Sequence, residues 1–489
     1  MAGSPTDPSP AERGELGLRQ LAQQTLSRAA GAPLVPGNRV RLLKDAGENF
    51  PAWLAAIRDA REKIYFESYI FADDHLGREF AEALAERARA GVRVRVLYDW
   101  LGGLGNTTSA LVRLLAEAGV QVRCFNPPRL DSPFGWLTRD HRKSITVDGR
   151  FGYVTGLCVA ARWAGDEARK RPPWRDTGIE IAGPAVADIE RAFGEVWAAT
   201  GEAIPPGELT PPSTIAPAGD ADVRVIATAP ATAGLYRLDQ LIASVARERL
   251  WLSDAYFVGT STYVQALAAA ARDGVDVRLL VPGASDLPAL SPLSRAGYRP
   301  LLEAGVRVWE WNGPMMHAKT AVADSRWARV GSSNLNIASW VGNYELDAAI
   351  EDEPFASAME AMYEADLGNA TEIVLGHRRR VPRRIKPTGP RFSGSAGRAA
   401  AGALRLSNAV GAALTNRRLL GPAEGRVMNA VAVLLGIVAV VAAVWPRLVA
   451  VPIAILAAWS AISLAIKARR LRNANRAGTD VPRDGLKRR

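Results

Sequence analysis

Apolar residues recur along the chain in two alternating rhythms. IYFESYIF (Ile64–Phe71) is a short, nearly continuous apolar run and predicts a buried strand. GREFAEALAERARA then spaces its apolar residues by three and four, as a helix does, before a second strand over Val92–Tyr98. A further helix-to-strand step ends at AGVQVRCFNP (Ala118–Pro127), and another strand follows His141. Strand and helix in alternation predict an α/β sandwich with a largely parallel sheet. The order then repeats. LWLSDAYFV (Leu250–Val258) matches the first strand, GVDVRLLVP (Gly274–Pro282) matches GVRVRVLYD (Gly91–Asp99), and AGVRVWEWNG (Ala304–Gly313) matches AGVQVRCFNP. The Pro-rich stretch Ala203–Asp220 between the copies reads as a linker. A repeat of this length is a duplicated domain.

The two ends of the chain follow neither rhythm. Residues 1–35 begin Pro/Ser-rich and polar, without an apolar core segment or a signal peptide; they are expected to be disordered and cytoplasmic. Beyond residue 376 a polybasic run, His377–Lys386, leads into a Gly/Ala/Ser-rich stretch. Two uncharged apolar runs of 19 residues follow, Val427–Trp445 and Leu448–Ile466, separated by Pro446-Arg447. At 1.5 Å per residue each spans about 28 Å, close to the ~30 Å hydrocarbon core of a bilayer. Basic residues flank the pair on both sides (Arg417, Arg418, Arg426; Lys467, Arg469, Arg470, Arg472), which predicts a transmembrane hairpin with both ends cytoplasmic. A hairpin that dips in without crossing and a buried soluble pair of helices are the alternatives. The expected organisation is therefore a disordered segment to 35, domains over 36–205 and 206–376, a basic linker over 377–426, the hairpin over 427–466 and a basic tail to 489.

Charge sharpens this division. From His377 onward there are 22 Lys/Arg against three acids, whereas residues 1–376 carry 39 basic and 47 acidic groups. An acidic folded body argues against a protein that grips nucleic acid along its face. The two cysteines, Cys124 and Cys158, build neither a disulfide framework nor a thiolate metal site and fit a reducing compartment.

The candidate chemistry lies in the histidines, of which there are four. His141 and His317 share one pattern, with Lys143 and Lys319 two residues on and Asp148 and Asp324 five beyond those. With 8 Lys and 25 Asp in the chain, a random histidine fits at odds of about one in a thousand. In a strand, residues i and i+2 share a face, so each His–Lys pair projects together. Two such strands juxtaposed by the duplication would offer two imidazoles and two ammonium groups around one cavity. That set suits a phosphodiester: one imidazole attacks phosphorus, the other protonates the leaving oxygen, and the lysines neutralise the anion. His75 and His377 have no such context and read as surface or loop residues.

Paired H-x-K-x4-D motifs in a duplicated α/β chain, the second continuing into Gly331-Ser332-Ser333-Asn334, resemble the phospholipase D superfamily over about residues 38–376. ESYIFADDHLGREFAEAL, the H-R-K first motif and the apolar tail are most similar to bacterial cardiolipin synthases of that superfamily. The resemblance implies two α/β sandwiches with one active site on a pseudo-twofold interface, no metal or other cofactor, phospholipid substrates with phosphatidylglycerol foremost, and a cell-membrane location with the catalytic domains cytoplasmic. It also implies roles. His141 would form a phosphatidyl-histidine, and His317 would act as general acid and base. Lys143, Lys319, Asn334 and Ser332 would meet the phosphate oxygens. Asp148 and Asp324 complete the motifs and hold their local geometry, while Asp176 and Glu345 either orient the histidine of the opposite half or are ordinary sheet-end acids. Where the family's first motif usually ends in Asn, this chain has Thr155-Gly156-Leu157-Cys158, which removes an amide donor.

The same residues admit a hydrolytic phospholipase D, a superfamily nuclease or an inactive membrane scaffold. The segment Arg129–Asp140, with Phe134, Trp136 and Leu137, either touches lipid or packs as a loop. Met315 and Met316 either line an acyl groove or fill core.

Overall fold

The computed structural model describes residues 21–129, 137–287 and 294–375, with isolated positions between 433 and 469. Fifteen strands among them form one continuous ladder. In the first half, β1 (Val35–Lys44), β2 (Lys63–Ser68), β3 (Arg93–Asp99), β4 (Gln121–Phe125), β5 (Lys143–Val147), β6 (Phe151–Thr155) and β7 (Thr177–Ala182) stand in the order β1-β7-β6-β5-β2-β3-β4. The second half comprises β8 (Ala221–Thr228), β9 (Arg249–Ser253), β10 (Asp276–Pro282), β11 (Arg307–Trp311), β12 (Thr320–Ala323), β13 (Trp327–Gly331) and β14 (Glu345–Glu351). It repeats the first order as β8-β14-β13-β12-β9-β10-β11, with β15 (Ala370–Ile373) added antiparallel at the edge beside β11. The halves meet where β1 and β8 pair antiparallel, so the sheet reads as a palindrome about that seam.

The sheet is mixed, not largely parallel as the rhythm predicted. β2, β3 and β4 run parallel, as do β9, β10 and β11, because a helix carries the chain back between them. The motif strands depart from this pattern. β5 turns tightly into β6 and β12 into β13, and a two-strand turn dictates antiparallel pairing. Asp148 (φ 54°) and Asp324 (φ 50°) stand at these turns.

The helices form where the apolar spacing placed them. His75–Arg89 starts on Asp74, whose side chain accepts the Gly77 amide, and buries Phe80 and Leu84. Ser261–Arg272, its counterpart, starts on Thr260 and buries Val264 and Leu267. Each half has its own core on its helical side, built around Phe66, Phe80 and Trp53 in the first and Leu252, Leu267 and Trp340 in the second. A third core draws on both halves at once, with Ile179, Ile181 and Val186 packed with Met316, Val322, Leu346 and Ile350. A buried aliphatic side chain contributes about 1.5–3 kcal/mol, so this shared core holds the two halves in register. Met316 is fully buried in it, and Met315, adjacent in the chain, is buried too.

Two sequence expectations change. Of the segment expected to be disordered, residues 21–30 form a helix; Ala30 and Ala32 join the second core, and Arg224 donates to Ser27 Oγ and the Ala32 carbonyl. Anchorage to a buried arginine supplies the order that its polar composition did not suggest. The Pro-rich linker is likewise fastened: Glu208 pairs with Arg95, and the Glu190 carboxylate accepts the Thr210 amide. The hairpin expected over 427–466 lies largely outside the described residues, as do Phe134 and Trp136. Among the described residues no helix is long and apolar enough to cross a membrane.

Candidate active site

Each motif histidine sits just before its strand, where the chain is docked onto the opposite half. The His141 amide donates to the Tyr344 carbonyl (2.9 Å), and the Tyr344 amide donates to the Arg139 carbonyl (2.8 Å). The mirror arrangement joins His317 N to Arg175 O (2.7 Å) and Arg175 N to Met315 O (2.9 Å). Each two-bond bridge places the next residue of the partner segment, an acid, against the imidazole. Glu345 lies 2.9 and 3.1 Å from His141 Nδ1 through its two oxygens, and Asp176 lies 2.7 Å from His317 Nδ1. Both acids, left open between two roles by the sequence, are fully buried and face histidines of the other half.

The carboxylates are themselves held. Ser332 Oγ donates to Glu345 (2.6 Å) and Asn343 Nδ2 reaches its other oxygen (3.2 Å), while Trp163 Nε1 donates to Asp176 (2.8 Å). Ser332 Oγ thus serves Glu345 and also accepts the Leu346 amide. Burial by itself would raise both acids. The facing imidazole and nearby lysine outweigh it, so Asp176 and Glu345 lie below the usual carboxylate range and remain ionised. An ionised acid at Nδ1 fixes the proton there and leaves Nε2 for chemistry.

The lysines connect the two centres. Lys143 and Lys319 each donate to the carbonyl of the histidine two residues before. Lys319 Nζ also lies 2.9 and 3.2 Å from the two ring nitrogens of His317. The charge of Lys319 bears on His141 and that of Lys143 on His317, and Cys158 feels both, so the motifs share one electrostatic site. Burial, with Lys319 next, pushes His317 down to about 3, and burial lowers His141 against the pull of Glu345. Lys319 falls to about 8, again through burial.

Asp148 and Asp324 stand at the far ends of their strands from the histidines. Asp148 accepts the amides of Arg61, Glu62 and Lys63 at 2.8–2.9 Å. Asp324 does the same for Arg247, Glu248 and Arg249. They pin the start of β2 and β9 and touch none of the reacting groups. Asn334 is buried, and its Oδ1 has no hydrogen-bond partner among the described residues. Its loop is tied to β9 by Asp254, which accepts the Leu335 amide (2.8 Å) and is pushed up to about 7 by burial. At the matching point of the first half Cys158 is buried, and burial keeps its thiol neutral. The glycine two residues earlier has a reason: a Cβ on Gly156 would stand 2.1 Å from Asp176 Oδ1.

Several contributors escaped the sequence reading. Arg142, inside the first motif, points away from His141 and Lys143 and donates to the carbonyls of Glu345 (3.1 Å), Ala192 and Thr228. Its place between two residues of an alternating strand was the available signal. Aromatic rings wall the imidazoles, with Tyr69 5.0 Å from His141, and Trp163, Trp174 and Tyr256 5.2, 5.8 and 5.9 Å from His317. Trp163 and Trp174 lie outside any repeated segment and had no signal, while Tyr69 and Tyr256 sit inside the repeated strand runs, where an aromatic residue reads as core.

Two half-domains that each lend a His–Lys pair to one site, and each cross an acid over to the other's histidine, define a phosphodiester-processing protein of the phospholipase D-like class. The family description "Cardiolipin synthase, PLD-like domain" matches residues 53–162 and 238–367. Cardiolipin synthase A of Pseudomonas aeruginosa (strain LESB58) is 35% identical over 385 residues, 78% of this chain and 76% of that protein. Cardiolipin synthase of Halalkalibacterium halodurans is 32% identical over 367 residues, covering 73% and 71%. The crystal structure of phosphatidylserine synthase from Haemophilus influenzae Rd KW20 superposes with a TM-score of 0.56 at 15% identity, over 72% of this chain and 92% of that one, and shows the shared fold. The chain belongs to the cardiolipin synthase family.

Proposed function

We propose that the protein is a phosphatidyltransferase that condenses two phosphatidylglycerols into cardiolipin and glycerol, through a phosphatidyl-histidine. The observation that carries this reading is the reciprocal pairing of His141 with Glu345 and His317 with Asp176, with a lysine beside each histidine. Named relatives with this activity, similar over most of both chains, support the substrate class.

The geometry supports the following steps. His141 is the more open imidazole, its side chain 13% exposed against 6% for His317, and it serves as nucleophile. Its Nε2 attacks phosphorus while His317, protonated once the anionic phosphodiester sits between the lysines, gives its proton to the departing glycerol oxygen. Glu345 balances the imidazolium character of the phosphorylated ring. The hydroxyl of a second phosphatidylglycerol then attacks. Its proton passes to His317, the N–P bond breaks, and both residues return to their starting states. Lys143, Lys319 and Asn334 hold the phosphoryl oxygens as charge develops.

The apolar runs over 427–466 and the surrounding basic residues support anchorage in the cytoplasmic membrane as a hairpin, with the catalytic body on the cytoplasmic side. Domains over 36–205 and 206–376 remain the organisation that best accounts for the duplication.

Detergent-solubilised full-length protein, incubated with labelled phosphatidylglycerol with and without EDTA, is expected to yield cardiolipin in both cases. Phosphatidic acid as the sole product would replace transfer by hydrolysis. Absence of any lipid product would remove the proposal.

A further inference from the structure

Two unlike charged groups that the steps above do not use are tied to the aromatic rings around His317. On one side Asp286, on the loop after β10, accepts a hydrogen bond from Tyr256 Oη (2.8 Å), and the Tyr256 ring stands edge-on to His317. On the other side the exposed Arg162 lies 5.7 and 5.8 Å from the rings of Trp163 and Trp174, both of which pack on His317. Its Nη2 donates to Asn106 Oδ1 (2.7 Å). Asp286 and Arg162 come from different halves of the duplication and have no counterparts at the repeated positions, so they break the symmetry of the site. Desolvation raises the Asp286 carboxyl above the usual range, and the Tyr256 hydrogen bond and then the charges of Arg162 and Lys319 pull it back toward the ionised form. Yet Arg162 and Asp286 form no ion pair among the described contacts. A carboxylate and a guanidinium, each tied to a ring that packs on His317, match a ligand that carries hydroxyls at one end and a phosphate at the other.

We infer that Asp286, held by Tyr256, and Arg162, braced by Asn106 and the two tryptophans, form the acceptor subsite, Asp286 taking a hydrogen bond from the non-attacking hydroxyl of a polyol and Arg162 pairing with the phosphate of the lipid that bears it. This rests on the phosphatidyltransferase reading and specifies its acceptor. The chemistry explains how water is outcompeted: water has neither a second hydroxyl for Asp286 nor an anion for Arg162, whereas a glycerol headgroup has both. In the transfer step one acceptor hydroxyl forms the new O–P bond and loses its proton to His317, the P–N bond to His141 breaks, and the second hydroxyl stays on Asp286. By microscopic reversibility the glycerol that leaves the donor passes through the same polyol contact.

The test reads partition within single reactions, so equal losses of all products do not count as support. Full-length wild type, Asp286→Asn and Arg162→Gln in detergent micelles receive labelled phosphatidylglycerol, with labelled free glycerol in parallel. For Asp286→Asn the ratio of cardiolipin to phosphatidic acid is expected to fall about tenfold or more, and headgroup exchange with free glycerol to fall with it. For Arg162→Gln the cardiolipin ratio is expected to fall while glycerol exchange relative to phosphatidic acid holds, because free glycerol has no phosphate to pair. A ratio within twofold of wild type in Asp286→Asn overturns the inference, as does an Arg162→Gln protein that loses lipid and free-glycerol acceptors alike. A wild type that releases no phosphatidyl product at all fails one step earlier and sinks the transferase reading itself.

Discussion

Filling the site with an anion should switch the protonation state of His317. Without one, burial and the Lys319 ammonium hold its pKa at about 3, so the imidazole is neutral and unable to act as an acid. A unit negative charge about 4 Å from the ring, at an effective dielectric constant near 20, favours the imidazolium by about 4 kcal/mol. At 1.36 kcal/mol per unit this is about three pKa units, which carries His317 to about 6. The substrate thereby arms the acid that its own departure requires. The sign is definite, because a nearby anion favours the charged form of a base and so raises its pKa. The assay is nitrogen NMR of protein labelled at histidine, recorded at pH 5 with and without saturating inorganic phosphate or vanadate. Four histidines make assignment by single substitution practical. His317 is expected neutral alone and protonated with the anion, and kcat should decline as pH rises through about 6. An imidazole in the same state in both samples would refute the reasoning. The depressed value also predicts that native stability falls as pH drops from about 6.5 toward 3, since the unfolded histidine takes up the proton the folded one refuses.

Other substitutions separate chemistry from architecture. Glu345→Gln keeps the hydrogen-bonding shape but not the charge that fixes the tautomer; kcat should fall by about 10²–10⁴ with a much smaller change in KM, measured by cardiolipin formation. Asp148→Ala and Asp324→Ala each release three amides, and about 2–3 kcal/mol of stability should be lost in denaturant titration while the folded fraction retains its kcat. Loss of turnover without loss of stability would return those aspartates to the reacting groups. Gly156→Ala drives a methyl group into Asp176, so activity should collapse with only His317 perturbed in the histidine spectrum.

The amino-acid pattern alone determined the duplication, the two His–Lys pairs and the helices, because these are local. Periods of 2 and 3.6 residues and a motif of eight are read along the chain without knowledge of what lies across from it. It singled out Asp176 and Glu345 but left their role open, since an acid at the start of a strand looks the same whether it faces solvent or an imidazole 141 or 204 residues away. It misjudged the sheet as largely parallel, because a tight turn after Asp148 or Asp324 reverses direction without altering the apolar rhythm. Only the tertiary structure decided that Ser332 serves Glu345, that Arg142 clamps the carbonyl of Glu345, and that Gly156 exists to admit Asp176. The physical reason is common to all three. A buried polar group must find its partner through space, and the shared core that brings the two halves together chooses that partner.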